Sequence, residues 1–120
     1  MRVANNGYTS ESEIVVDKTI TISIGRAVGT TPMSTKEWRK FIRLVNTLVS
    51  STVTTDCLWV HNAKSHNAYN GNPEETRTWV FDTDLNNLER IDAELLTLTE
   101  DFVQDCIART VGKTRLVGIE

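Results

Sequence analysis

The spacing of hydrophobic residues changes several times along the chain. Residues 19–24 alternate Thr or Ser with Ile, the two-residue period of a strand with one buried face. Between Trp38 and Val49 the apolar residues recur at helical spacing, and Ser34 with Glu37 three positions later forms a capping box. This half of the chain therefore predicts a strand from Lys18 and an amphipathic helix over about residues 35–50.

The second half repeats this order with one extra strand. Residues 53–61 are rich in Thr, Val and Trp and predict a strand. Residues 62–74 are rich in Asn, Gly, Ser and Pro and predict a long hairpin loop. Over residues 77–81, Arg77, Trp79 and Phe81 alternate with Thr78 and Val80, which predicts a third strand. A second amphipathic helix is expected after the N-capping cluster at residues 82–84. A fourth strand is expected from Asp105.

The predicted order β-α-β-β-α-β is that of a ferredoxin-like α+β fold, a four-stranded antiparallel sheet with two helices on one face. Residues 1–17, which are mostly polar and lack periodicity, are expected to form a flexible arm. Residues 18–120 are expected to form one domain, since 120 residues are too few for two.

Two helices on one face leave the other face of the sheet uncovered. If Ile20, Ile22, Ile24, Leu58 and Val80 point at the helices, the uncovered face carries Cys57, Trp59, His61, Arg77, Trp79 and Phe81. An exposed aromatic patch of that size marks a ligand or a partner. We therefore expect a homodimer or a higher oligomer.

Composition narrows the function classes. A net charge of −3 argues against a general nucleic-acid binder, so no polymeric nucleic-acid partner is expected. The longest apolar run, residues 57–60, is too short for a membrane span, and the N-terminal residues lack the apolar segment of a signal peptide, which predicts a cytoplasmic protein. The two cysteines, Cys57 and Cys106, lie among apolar residues and are expected to be buried, reduced thiols.

None of four candidate catalytic or metal-binding arrangements is supported by the sequence. The repeated His-Asn-Ala triplets at residues 61–68 lack the hydroxyl that two-histidine phosphoesterases need, and Cys57, His61 and His66 provide three metal ligands without a fourth. Cys57 and His61 lie about 13 Å apart along a strand, too far for a dyad. The pairs Glu74/Glu75 and Asp82/Asp84 are better explained as loop solvation and helix capping. No catalytic residue, metal or cofactor is expected.

Two basic features suggest anion binding. The loop at residues 25–31 lies between a strand and a helix and includes Arg26, so it is either a phosphate-binding loop or a structural turn. The predicted first helix carries a stripe of basic residues: Lys36, Arg39, Lys40 and Arg43. Such a stripe is more often a solvated face, although it could pair with the acidic face of the second helix in a neighbouring subunit.

Three segments carry a family resemblance: residues 19–26, residues 33–38 and residues 104–112. They resemble small proteins of bacteriophages and actinobacteria. In length and layout the chain is also similar to phage anti-defence proteins that sequester the cyclic ADP-ribose signals of the Thoeris system. The resemblance implies an oligomeric, non-catalytic protein acting in the infected host's cytoplasm and burying a nucleotide between subunits.

The sequence thus favours a non-enzymatic protein that captures a small nucleotide. The expected ligand-binding residues supply stacking surfaces, arginines and polar contacts: Trp59, Trp79 and Phe81; Arg26, Arg77 and Arg109; His61, Asn62, Tyr69 and Asn70. One alternative is a protein-interaction module that inhibits a host enzyme. Another is a small ferredoxin-like enzyme, such as a monooxygenase or phosphodiesterase.

Overall fold

The computed structural model describes residues 13–66 and 73–118. Its elements follow one another as β1 (Glu13–Gly25), β2 (Ala27–Val28), β3 (Thr31–Pro32), α1 (Thr35–Thr52), β4 (Val53–His66), β5 (Pro73–Thr83), α2 (Leu88–Asp101) and β6 (Ala108–Val117). A single 3₁₀ turn, Leu85–Asn87, precedes α2. Neither helix is long and apolar enough to cross a membrane within these described residues.

The main sheet has the strand order β4-β5-β1-β6, and all three pairings are antiparallel. Strands β2 and β3 form a separate two-stranded hairpin between β1 and α1. The core joins the isoleucines of β1 to apolar residues of both helices. This arrangement confirms the predicted ferredoxin-like α+β fold, because the first strand lies between the third and fourth strands of the sheet.

The cap of α1 confirms the predicted capping box. Ser34 Oγ accepts a hydrogen bond from the backbone N–H of Glu37 at 3.2 Å, which satisfies one of the unpaired donors of the first turn. The predicted capping cluster at residues 82–84 also holds, since Asp84 accepts from the N–H of Asn86 at 2.9 Å. That cap starts the 3₁₀ turn rather than α2 itself.

Several strands are longer or shorter than predicted. Strand β1 begins at Glu13, within the segment expected to be an arm, and residues 13–16 pair with β6. Residues 62–66, predicted as loop, continue β4 and pair with the first residues of β5. Strand β6 begins at Ala108 rather than Asp105. The prediction missed this part of β4 because residues 62–66 show no hydrophobic alternation, the sequence signal of a half-buried strand.

The predicted faces are right for the isoleucines of β1 but wrong for strand β5. In the register of β1 with β5, Ile20 lies opposite Phe81 and Ile22 lies opposite Trp79. Directly opposed residues of antiparallel strands share a face, so Trp79 and Phe81 point at the helices together with the isoleucines. Phe81 is 0% exposed and Trp79 is 1% exposed. They belong to the core rather than to a binding surface.

A β-bulge explains the remaining error in the face assignment. The pairing of β4 with β5 shifts between Cys57 and Trp59, so Cys57 lies opposite Phe81 whereas Trp59 lies opposite Val80. Cys57 consequently packs against the core, and Trp59 points to the other face. One extra residue, Leu58, is enough to reverse the alternation that the sequence shows.

The sheet face away from the helices is called the open face below. It carries mostly small, hydroxylated side chains at Thr21, Ser23 and Thr78, with the Ser23 and Thr78 hydroxyls 2.9 Å apart. Among the described residues, the large aromatic side chain on this face is that of Trp59, which is 43% exposed. The open face is therefore far less aromatic than the sequence predicts.

Candidate functional site

The residues predicted to bind a ligand are distributed over separate parts of the molecule. Trp59 and His61 lie on the exposed edge strand β4, on the open face. Asn62 follows on the same strand, opposite Arg77 and therefore on the helix side. Tyr69 and Asn70 lie outside the described residues. The aromatic and basic residues thus form no common surface of the kind the sequence predicts.

Arg109 is held by an ion pair within the fold. It lies on the helix side of β6, opposite Ile22, and its guanidinium donates to both carboxylate oxygens of Asp92 on α2, with an Nε–Oδ1 distance of 2.8 Å. This hydrogen-bonded contact with Asp92 raises the pKa of Arg109 above its ordinary value. A structural pairing of β6 with α2 accounts for Arg109 without any ligand.

Arg77 also lies on the helix side of the sheet, opposite Ile24. Its guanidinium carbon stands 5.9 Å from the ring centroid of Trp79, a cation–π distance. Its Nε is buried and has no hydrogen-bond partner. Unlike Trp79, Arg77 is only half-buried and keeps contact with solvent.

Arg26 connects three elements at one end of the sheet. Its Nε donates to the carbonyl of Met33 at 2.8 Å, and its Nη1 lies 3.0 Å from Glu75 Oε1 of β5. Its Nη2 lies 3.3 Å from the hydroxyl of Thr35. The other Glu75 oxygen accepts from Trp38 Nε1 of α1 at 3.1 Å. Arg26 and Glu75 therefore fix the β2–β3 hairpin against β5 and the start of α1.

The neighbouring carboxylate, Glu74, lies on the other side of the same strand. Glu74 Oε2 accepts from the backbone N–H of Ala27 at 2.9 Å. A Cβ built on Gly25 would stand 2.2 Å from that oxygen, so the glycine leaves the space that the carboxylate occupies. Gly25 and Ala27 together place a negative charge at a defined position beside the hairpin.

A pocket of about 310 Å³ opens between this hairpin and strands β4 and β5. Arg26, Thr30, Lys64, Glu74 and Glu75 contribute to its lining, and we call it the Glu74 pocket. Its volume lies at the lower end of the range for small-molecule sites. The charges of Arg26 and Glu75 neutralise one another in their ion pair. The charges that remain in the lining of the pocket are the negative charge of Glu74 and the positive charge of Lys64. Such a lining suits a small ligand that carries charges of both signs.

The structure separates the residues of the rejected thiol dyad. Cys57 lies opposite Phe81 on the helix side, whereas His61 lies opposite Thr78 on the open face. Burial raises the pKa of the Cys57 thiol, which keeps it protonated and poorly nucleophilic. Cys106 is exposed, so the expectation of a buried thiol there is wrong. Both cysteines are free, and no cluster of metal-ligating residues occurs among the described residues.

Two solved structures share this fold. One is a phage SAM lyase in complex with S-methyl-5′-thioadenosine, 18% identical, with a TM-score of 0.52 over 87% of this chain and 84% of the other. The second is a phage SAM lyase in the apo state, 19% identical, with a TM-score of 0.51 over 86% of this chain and 82% of the other. Both are phage enzymes. No protein-family model and no curated protein matches the chain.

These likenesses correct the expectation that the protein is not an enzyme. The ferredoxin-like framework seen here is one on which phage lyases are built, so its fold gives no support to a purely non-catalytic protein. The sequence predicted a fold like that of small phage proteins, and both structures that share the fold are phage proteins. Neither comparison bears on the Thoeris resemblance.

Sequence reasoning missed the main residues of the Glu74 pocket. Glu74 and Glu75 look like loop solvation because Asn and Gly precede them, and Trp38 looks like an ordinary core residue. One signal was present, because long side chains alternate with the short β-branched residues Thr76, Thr78 and Val80 from Glu75 to Phe81. This alternation extends β5 back to the carboxylates. The contacts of Glu75 with Arg26 and Trp38 span 49 and 37 residues and could not be read from local pattern.

Proposed function

We propose that the chain binds S-adenosylmethionine in the Glu74 pocket and cleaves it to S-methyl-5′-thioadenosine. The observation that carries this proposal is the Glu74 carboxylate, held by the Ala27 N–H above Gly25 at a pocket that Lys64 also lines. The shared fold with phage SAM lyases supports it.

The charges of the ligand match those of the pocket. S-adenosylmethionine carries a sulfonium and an ammonium cation together with a carboxylate. We assign the cationic part to Glu74 and the carboxylate to Lys64, since charge-assisted contacts are roughly twice as strong as neutral ones.

In the proposed cleavage a carboxylate oxygen of the substrate's own amino-acid fragment forms a bond to the carbon attached to the sulfonium sulfur. The carbon–sulfur bond breaks as this carbon–oxygen bond forms, so the amino-acid fragment leaves as a lactone. The sulfur keeps the bonding electron pair and becomes the neutral thioether of S-methyl-5′-thioadenosine. Glu74 orients the sulfonium substrate, and the backbone donor at Ala27 keeps its carboxylate in one position. Positioning of this kind lowers the entropic part of the barrier.

The test is chromatography of S-adenosylmethionine incubated with purified protein, comparing wild type, Glu74→Gln and Glu100→Gln. Gln keeps the acceptor for Ala27 but removes the charge, so Glu74→Gln should lower kcat/KM by about 10- to 100-fold, the equivalent of about 1.5–3 kcal/mol. Glu100 is exposed on α2, away from the pocket, so its variant is the matched control and should remain within twofold. Equal rates in the two variants, or no thioether product from wild type, would refute the proposal.

Capture of a cyclic ADP-ribose isomer, the ligand that the sequence suggested, remains a prediction with less support. Trp79 and Phe81 cannot stack on a base from inside the core, and Trp59 is the predicted aromatic residue left exposed in the described part of the chain. Titration with cyclic ADP-ribose under the same conditions compares the two ligands. We expect S-adenosylmethionine to bind more tightly.

A further inference from the structure

The backbone of Ala27 is held by two side chains from distant parts of the chain. Its N–H donates to the Glu74 carboxylate at 2.9 Å, and both residues line the proposed substrate pocket. Its carbonyl accepts from Gln104 Nε2 at 3.0 Å, in the segment that follows α2, 77 residues further along the chain. Pro32, which lies opposite Ala27 in the hairpin, has no N–H to donate. Gln104 therefore supplies the donor that the facing strand of the hairpin lacks.

Gln104 is itself held in place by the end of α2. Its backbone N–H donates to the carbonyl of Thr99 at 2.8 Å, and its side-chain amide also donates to the carbonyl of Phe102 at 3.3 Å. Phe102 is 7% exposed, and its ring stacks on Phe41 of α1 with the ring centroids 4.5 Å apart. These contacts connect Gln104 to the core, so its side chain can support the hairpin from a fixed position.

The residue before Gln104 adopts a strained backbone conformation. Val103 has a φ of 53°, in the left-handed region where a helix end usually has glycine. A β-branched residue is an outlier there, and such strain persists where surrounding contacts hold the chain in place. The Val103 side chain is 69% exposed, so packing of this side chain compensates little of the strain. The turn at Val103 instead leads into Gln104, whose side chain reaches Ala27.

We propose that Gln104 is a positioning residue for the cleavage reaction, acting through Ala27 on the Glu74 carboxylate. This inference rests on the proposed function and adds to it a residue that does not line the pocket. Loss of the Gln104 donor releases the Ala27 carbonyl, and a shift of this backbone also moves the N–H that fixes Glu74. Such a shift lowers the rate because the reaction depends on alignment. The hairpin stays attached through Arg26 and Val28.

The experiment is a double-mutant cycle, with cleavage of S-adenosylmethionine followed by chromatography. Gln104→Met keeps the side-chain length without the donor, and should lower kcat about five- to tenfold with KM within about twofold, since the charge of Glu74 remains. In the Glu74→Gln background the same substitution should lower kcat by less than about twofold, because the charge that Gln104 positions has gone. Asp105→Asn, at the next and exposed residue, is the control and should change kcat by less than about twofold.

A second measurement does not depend on activity. Hydrogen exchange of single amides, followed by NMR, should be at least about fivefold faster for Ala27 in Gln104→Met than in wild type, because this backbone has lost a support. The amide of Ile22, a fully buried core residue, should exchange at the wild-type rate. Gln104→Glu places an acceptor against the Ala27 carbonyl and should have the same effects, which covers the case in which Gln104→Met does not fold.

Three results would overturn the proposal: equal losses of kcat in the two backgrounds, exchange that becomes faster at Ile22 together with Ala27, or unchanged exchange at Ala27. The first two would give Gln104 a purely structural role. Absence of the thioether product with wild-type protein would refute the lyase activity and the catalytic part of this proposal. The exchange of the Ala27 amide would then still show whether Gln104 holds this backbone.

Discussion

Replacing Phe81 and Trp59 separately distinguishes the core from the exposed surface. Both residues were expected on one exposed face, but Phe81 is 0% exposed in the core and Trp59 is 43% exposed on the open face. Removing a fully buried Phe ring typically costs about 3–5 kcal/mol, whereas a half-exposed ring away from the core costs less than about 1 kcal/mol. Phe81→Ala should therefore destabilise the protein several times more than Trp59→Ala.

The assay is urea unfolding followed by far-ultraviolet circular dichroism, which does not depend on tryptophan emission. With an m-value of about 1.5–2 kcal/mol per molar urea, Phe81→Ala should lower the midpoint by about 2 M and Trp59→Ala by less than about 0.6 M. Equal shifts for the two variants would refute the register of β1 with β5.

A milder pair of variants covers the case in which Phe81→Ala does not fold. Ile22→Val removes one methyl group opposite Trp79 and should cost about 0.5–1.5 kcal/mol. Val117→Ala, at a position that is 73% exposed, is the control and should change the free energy of unfolding by less than about 0.5 kcal/mol. Equal effects in this pair would contradict the same register.

Four other predictions concern single residues. Gly25→Ala should displace the Glu74 carboxylate and lower S-adenosylmethionine cleavage about as much as Glu74→Gln, with an unchanged circular dichroism spectrum, because the clash is with a flexible side-chain end. Arg109→Gln should cost less than about 1 kcal/mol in urea unfolding, since its ion pair is partly exposed; a larger loss would give Arg109 a further role. Iodoacetamide at pH 8 should modify exposed Cys106 faster than Cys57, whose pKa burial raises, and mass spectrometry of the peptides reads both rates. The folded protein holds the Cys57 proton more tightly than the unfolded chain does, since burial raises the pKa of this thiol. The stability that results is present below the ordinary pKa of 9.0 and is lost as the pH rises through the folded value. Cys57→Ala should reduce this loss of stability.

The order of elements was predictable because each has a local signal. The isoleucine alternation of β1, the capping box at Ser34 and the apolar stripes of both helices depend on residues close in sequence. The strand order could then be inferred from the β-α-β-β-α-β sequence of elements. These features required no contact between distant residues.

The faces of the sheet were not predictable in the same way. Alternation shows that Arg77, Trp79 and Phe81 share a side, but only the register with β1 shows that the helices cover it. The bulge after Cys57 then changes which face of the sheet the following side chains of β4 occupy. No Gly or Pro in the sequence indicates this bulge. One wrong face moved two core aromatics into the expected binding site.

The Glu74 pocket depends on contacts across the chain. Its carboxylates, its hairpin and Lys64 come from three segments, and each segment taken alone looks like an ordinary turn, a loop or a solvated charge. The space over Gly25 is equally invisible in sequence, since a glycine in a loop has many explanations.

A crystal structure of the protein with S-methyl-5′-thioadenosine tests the central claim most directly, because it shows where the ligand binds. We expect the thioether sulfur to lie beside the Glu74 carboxylate, with the ligand occupying the pocket that Arg26 and Lys64 also line. A ligand bound on the open face against Trp59, or a Glu74 pocket that stays empty at saturating ligand, would contradict the assignment of this pocket as the active site.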